Sequence, residues 1–439
     1  MTEFLPTMIV LVLAAILASM YIVRFSKEER PLMWLSFVAH QGAAVGNVLM
    51  TRYVYEWGDM LAYHLFGVEA AGRLRADFWG LAPALVGLLF HRTDPIPIPL
   101  QTFDGATGAI QALSAFAMLL CFNSLYAVCA LVAGLSFLSK GLLYQVAREQ
   151  LPDIPRRPLL FVCTLLPSAL FWSCALLKEP LAMIGLLLAV YGWHEVINRR
   201  TPRRSFLLVA VSSVLVILIK GYIFPVFCLA IGAWYLARTI QDRRGDVTFK
   251  TGHVVAASIV VGILVMVTGV VLPRFATSTI TDQLAEMQAT GVDVEGGSAY
   301  VLGKGSGTAG GQAALAPLAL LTALFRPLVF EVKSAAAVLS AIEMTGFVLA
   351  TIVVLLRRGI LSSFSSLVRR PFLSFCASFV VIFGTCVGLG TTNMGTLARY
   401  RMPMLPFFGI LLLTLLARPR PETGRLQMKK TIRTAGHAA

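Results

Sequence analysis

The feature that most constrains this chain is its succession of long apolar runs separated by short basic stretches. The runs lie near 4–23, 31–50, 78–91, 108–122, 125–143, 158–174, 181–197, 204–219, 221–237, 252–273, 335–356, 371–391 and 402–417. Crossing the hydrocarbon core of a bilayer takes about 20 apolar residues of helix. Read on that ruler, the runs give about 13 spans, with 78–91 and 108–122 short for a full crossing. Backbone groups inside lipid have no water to bond, so such segments must close their hydrogen bonds within a helix. Hydrophobic residues make up 57% of the chain and its mean hydropathy is +0.78, more apolar sequence than a soluble core needs. The expected fold class is all-α: a polytopic transmembrane helical bundle.

Charge sets the expected orientation. The net charge of +15 would point to nucleic acid in a soluble chain. Here the basic residues sit in clusters between apolar runs, which marks cytoplasmic loops and argues against a nucleic-acid partner. The clusters are Arg24/Lys27/Arg30, Arg148/Arg156/Arg157, Arg199/Arg200/Arg203/Arg204, Arg238/Arg243/Arg244/Lys250, Arg357/Arg358/Arg369/Arg370 and the tail from Arg418 to Arg433. With the spans above, all fall on one side. The N-terminus is then outside and the C-terminus cytoplasmic. No basic stretch precedes the first run, so it reads as a retained span rather than a signal peptide. The cysteines lie mostly inside apolar runs and lack metal-ligand spacing, so they read as small core residues.

The chain then divides into an N-terminal span and loop (1–30), a transmembrane module (31–273), a long outer loop (274–334), C-terminal transmembrane helices (335–417) and a basic, disordered tail (418–439). Four segments face outward: 51–77, the turn 174–180, the loop 274–334, and 392–401. They hold most of the unusual polar residues. An outer face that keeps arginines against the positive-inside trend, together with acids, suits an anionic ligand at headgroup level. Residues 60–77 read as an amphipathic interfacial helix, with Leu61, Leu65, Val68 and Leu74 on its apolar side. The stretch 291–312 is rich in glycine but has no nucleotide-loop spacing. It reads as a loop that closes over a substrate.

Asp59 stands in the sequence Trp57-Gly58-Asp59-Met60-Leu61-Ala62-Tyr63-His64, just after an apolar run. A partly desolvated carboxylate there can take a proton from an acceptor hydroxyl; it equally suits the N-cap of the helix that follows. Lys178-Glu179-Pro180 places opposite charges in a turn between spans. Lys178 can meet a phosphate and Glu179 can orient it or act as a second acid, or both can simply cap a helix. Arg399-Tyr400-Arg401 puts two guanidinium forks beside an aromatic ring, suited to phosphate oxygens or to interfacial anchoring. Arg326 with Glu331 reads as a further phosphate contact or as an internal ion pair. Lys220 ends a span on the same face and can add to the phosphate site. Trp57, Tyr63, His64, Tyr400 and Glu331 are candidates for holding an acceptor or sugar. His40, inside a span, reads as a hydrogen-bonded core residue. No His/Cys/carboxylate cluster has zinc spacing. A divalent ion held by Asp59 and a lipid phosphate stays open, and no other cofactor is expected.

The ordered series GDMLAYH, LPSALFWSCALLKEP, ALFRPLVFEV with Glu343 downstream, and NMGTLARYRMPMLPF resembles the bacterial GT-C membrane glycosyltransferases and related polysaccharide polymerases. The resemblance spans about residues 31–410, each motif being moderately specific and their order more so. It implies transfer of sugar from a polyprenyl phosphate or pyrophosphate carrier to a glycan or lipid acceptor outside the bacterial inner membrane. It also implies that the family's catalytic first-loop acid is Asp59. Two features depart from the family pattern: this loop follows the second expected span rather than the first, and the chain has no large soluble C-terminal domain. Within the resemblance, single transfer and repeat-unit polymerisation both remain, alongside other polysaccharide-assembly proteins as partners. Outside it stand a lipid or solute transporter, which predicts charges at mid-membrane and two similar halves, and a structural membrane subunit.

Overall fold

A computed structural model describes residues 3–92, 105–198, 202–244, 308–332, 335–368 and 370–417, with the single residues 96, 98, 300 and 302. In chain order the helices are α1 (Phe4–Ile22), α2 (Arg30–Met50), α3 (Asp59–Ala76), α4 (Phe78–Leu89), α5 (Gly105–Leu120), α6 (Leu125–Gln150), α7 (Arg156–Thr164) and α8 (Pro167–Trp172). They continue with α9 (Lys178–Ile197), α10 (Pro202–Lys220), α11 (Ile223–Arg244), α12 (Ala309–Phe325), α13 (Ala335–Arg358), α14 (Ile360–Val368), α15 (Pro371–Leu389), α16 (Met394–Tyr400) and α17 (Leu405–Leu416). No β-strand occurs among the described residues. The described residues are all-helical, as the hydropathy of the chain leads one to expect.

Two helices organise the interior. Helix α6 packs against α1, α2, α7 and α9, and α15 packs against α11, α12 and α17. The sequence of α15 explains its place: Phe372, Phe375, Phe379 and Phe383 recur every three or four residues and so share one face. Their rings stack at 6.3, 6.0 and 5.2 Å and meet Trp234 of α11 and Phe407 of α17. Helix α1 is the opposite case. It is the most apolar of the long helices yet only 11% of its span is buried, so its side chains face outward, as lipid contact requires. Close approach of α12 to α15 depends on Gly388, where a Cβ would collide with the carbonyl of Ala319.

The span count differs from the expected 13. Among the described residues 6 helices are long and apolar enough to cross a membrane, or 7 if the bent pair α16–α17 is one span. The expected span 158–174 is instead two helices broken at Leu165–Leu166, just before Pro167. The run 402–417 is bent by 42° from α16. The runs 78–91 and 108–122 form helices of 12 and 16 residues. Helices α2 and α10 coincide with expected spans, but His40, Gln41 and Asn47 in one and Arg203, Arg204 and Lys220 in the other keep them out of the apolar set. The expected span 252–273, most of the glycine-rich stretch and the tail 418–439 lie outside the described residues. Inside the expected loop 274–334, α12 is a helix packed on α15 rather than loop.

Helix α3 does begin at Asp59; of its expected apolar side Leu74 is buried and Leu61 and Val68 are half-buried. Met60, Tyr63, Phe66, Gly67, Ala70, Ala71 and Leu74 are buried, largely against α5, while Leu65 is exposed. The turn into α3 needs Gly58, whose φ of 141° is open to glycine alone.

Candidate functional site

Four helix ends converge at one end of the bundle. Asp59 and Glu179 lie in the first turns of α3 and α9; Lys220 and Arg399 lie in the last turns of α10 and α16. Each charge therefore sits at the helix pole that favours it. Asp59 Oδ2 meets Arg399 Nη2 at 2.9 Å, Arg399 Nε meets Glu179 Oε1 at 3.3 Å, and Lys220 Nζ meets the same oxygen at 2.9 Å. The result is a charge-balanced chain, Asp59–Arg399–Glu179–Lys220. Tyr400 stabilises both cations: Lys220 Nζ lies 3.6 Å and the Arg399 guanidinium 5.3 Å from its ring centre. Tyr222 accepts a further hydrogen bond from Lys220 at 3.4 Å.

Exposure separates these groups by role. Glu179 and Lys220 are 1% and 7% exposed, whereas the Asp59 side chain is 46% and Arg399 20% exposed. Asp59 and Arg399 line a cavity of about 650 Å³, a volume in the range of small-ligand sites. Its walls carry Tyr55, Trp57 and Trp172, the polar side chains of Asn47, Thr51, Ser340, Asn393 and Thr396, and the acid Glu331. Aromatic faces next to amides and hydroxyls suit a polyhydroxylated ligand. Asn47 is held in the wall by donating to the carbonyls of Ala43 and Phe171 at 2.9 and 2.8 Å.

The structure brings together Asp59, Glu179, Lys220, Arg399, Tyr400, Trp57 and Glu331, and separates the others. Glu179, expected among the catalytic acids, does not line the cavity; it sits behind Arg399 and holds both cations. Arg401, expected on a phosphate, is fully buried. It donates to the carbonyls of Ala323 and Arg326 and, at 2.6 Å, to Ser340 Oγ, which ties α16 to the segment after α12. Lys178 donates to Thr107 Oγ1 at 3.1 Å, away from the cavity wall. Arg326 is paired with Glu331 at 2.6 Å, the internal ion pair foreseen as the alternative. Burial would raise the Glu331 carboxyl, but the Arg326 contact and the Leu328 N–H outweigh it and hold it below the usual glutamate range.

Tyr63 and His64 are not in the cavity wall. Tyr63 is packed into the α3 core face, where burial raises its phenol. His64 is half-buried, and burial holds its imidazole below the usual histidine range. Asp59 is not the N-cap of α3; Gly58 takes that position and the Asp59 carboxylate goes to Arg399. Sequence reasoning missed Trp172, Asn47, Asn393 and Tyr222, which carry no charge to draw attention. It also missed Lys140, whose signal was plain: a cation inside the apolar run 125–143. Among the described residues no group of His, Cys, Asp and Glu converges as a metal site. No protein-family model, no curated protein and no solved structure matches this chain.

Proposed function

We propose that this chain is a membrane glycosyltransferase of the bacterial envelope, taking sugar from a polyprenyl phosphate or pyrophosphate donor at the extracytoplasmic face of the inner membrane. The observation that carries this reading is one exposed carboxylate paired with one half-buried guanidinium on the wall of an aromatic and amide-lined cavity. Asp59 accepts the proton of an acceptor hydroxyl. The hydroxyl oxygen attacks the anomeric carbon, the bond from that carbon to the phosphate oxygen breaks, and the phosphate leaves with the electron pair. Arg399 is the cation that lines the cavity among the described residues, so it receives the departing charge; Glu179, itself paired with Lys220, holds it from behind. Preorganised charge of this kind contributes roughly 3–4 kcal/mol per donor to a barrier.

The resting contact between Asp59 and Arg399 fits this order of events. An anionic donor competes for Arg399 and frees Asp59 to act as base. Glu179 stays paired with Lys220 and with Arg399 Nε while Arg399 Nη2 exchanges Asp59 for the donor. A single transfer and a repeat-unit polymerisation would use the same groups, with a glycan or lipid acceptor in either case. Transport of an anionic lipid or solute is a second reading, favoured by one observation: Lys140, His40 and Glu343 are ionisable side chains within helices that carry apolar spans or pack on them.

The test is turnover. Purified protein in nanodiscs is given lipid-linked sugars extracted from bacterial envelopes, and release of polyprenyl phosphate or pyrophosphate is followed by mass spectrometry. Release coupled to a glycosylated product supports the proposal. Movement of intact lipid-linked sugar between leaflets without bond cleavage would replace it with transport.

A further inference from the structure

Lys140 lies in the interior of α6 and is 1% exposed. Its Nζ meets three groups: His40 Nε2 at 3.2 Å, the Ala169 carbonyl at 2.9 Å and Ser173 Oγ at 2.7 Å. His40 Nδ1 faces the Ser36 carbonyl at 2.7 Å, so in the neutral ring Nδ1 donates and Nε2 accepts. Ser173 Oγ donates to the Leu170 carbonyl and so accepts from Lys140. All three contacts then require N–H from Lys140, which is met only by an ammonium.

Two of these bonds, to Ala169 and Ser173, end on the six-residue helix α8 and the residue after it. A helix that short leaves nearly all its end groups unbonded, which is costly in lipid. The surrounding helices supply the missing partners. Glu343 Oε2 of α13 accepts the Ser168 N–H at 3.1 Å, Asn47 of α2 donates to the Phe171 carbonyl, and Lys140 takes Ala169 and Ser173. From the segment so held, Trp172, Ala175 and Leu177 line the cavity.

We infer that Lys140, oriented by His40, is a positioning residue for the cavity: it pins the interrupted helix α8 so that Trp172 and the turn after it form the wall beside Asp59. The effect on turnover rests on the function proposed above; the effect on α8 does not. It also assigns the buried cation a fixed structural contact rather than a place on a transport path.

Native Cys174, fully buried and adjacent to Ser173, is the reporter. Full-length protein in nanodiscs of phosphatidylethanolamine and phosphatidylglycerol is compared with Lys140→Met. The readouts are alkylation of Cys174 by N-ethylmaleimide and amide hydrogen exchange over 166–177, both resolved by peptide mass. The expected result is at least tenfold faster alkylation and exchange there, with α15 unchanged. Should Lys140→Met fail to fold, Ser173→Ala removes one acceptor and is expected to give a several-fold increase at the same peptide. With a lipid-linked donor, KM is expected to rise at least tenfold while kcat changes less than threefold. Unchanged Cys174 and exchange, or equal acceleration across all helices, overturns the inference. If wild-type protein turns over no donor, the proposed function fails while the alkylation and exchange results still decide the role of Lys140.

Discussion

Removing Lys220 exposes how the charge chain is held. Lys220→Met strands Glu179, which is 1% exposed and 2.9 Å from the lost ammonium. Breaking a buried pair by deleting one member costs roughly 3–5 kcal/mol, because the other charge stays buried. Arg399, still 3.3 Å from Glu179, compensates part of that loss. The expected destabilisation is therefore at the low end, about 3 kcal/mol, a factor of roughly 150 in the folding equilibrium. Glu179→Gln alone leaves Lys220 and Arg399 facing each other without the carboxylate between them, with a similar cost. In the double variant no buried charge is stranded, so the loss is much smaller than the sum. Unfolding in mixed micelles of rising SDS fraction, run as a double-mutant cycle, reads this as a coupling of about 3 kcal/mol. If the single losses add to the double within about 0.5 kcal/mol, the two residues do not act as a buried pair and the reasoning fails.

Other outcomes follow from single features. Gly388→Ala pushes α15 away from the Ala319 carbonyl and is expected to destabilise by about 1–3 kcal/mol in the same assay, while Gly42→Ala, with open space at its Cβ position, is near neutral or stabilising. Glu331 has a lowered carboxyl, so its contribution to stability is fully present above the unfolded-state value of about 4.3 and is lost as pH falls through the lower folded value. Thermal unfolding of wild type and Glu331→Gln should accordingly differ at pH 7 and converge in stronger acid; a constant gap at all pH values contradicts the pairing with Arg326. Arg399→Met should weaken binding of a polyprenyl pyrophosphate by at least tenfold in a vesicle flotation assay while leaving binding of the uncharged polyprenol unchanged.

How much was legible in the sequence differs by level. Apolar runs fixed the helical class because lipid permits few alternatives, and Asp59 opening a helix followed from Gly58-Asp59. Hydropathy reads the apolar run 158–174 as one span because it does not see the break at Leu165–Leu166 that Pro167 marks. The four members of the charge chain were each singled out for rarity near membrane spans. Their order was not readable, since pairing joins residues 340 positions apart, as for Arg399 and Asp59. Arg401 illustrates the limit: two residues from Arg399 in sequence, it is fully buried and bonds backbone carbonyls and Ser340 Oγ instead of lining the cavity. The amide and aromatic wall was invisible because Asn47, Trp172 and Asn393 are ordinary residues until the fold gathers them.

The most direct test compares wild type with Asp59→Asn in one assay that measures both donor binding and donor cleavage. The side chains are nearly isosteric, so Arg399 keeps an oxygen to bond while the base is removed. The variant is expected to bind the lipid-linked sugar within about threefold of wild type and to release polyprenyl phosphate or pyrophosphate at least a hundredfold more slowly. Cleavage by Asp59→Asn at the wild-type rate would contradict the assignment of Asp59 as the base, and with it the proposed mechanism.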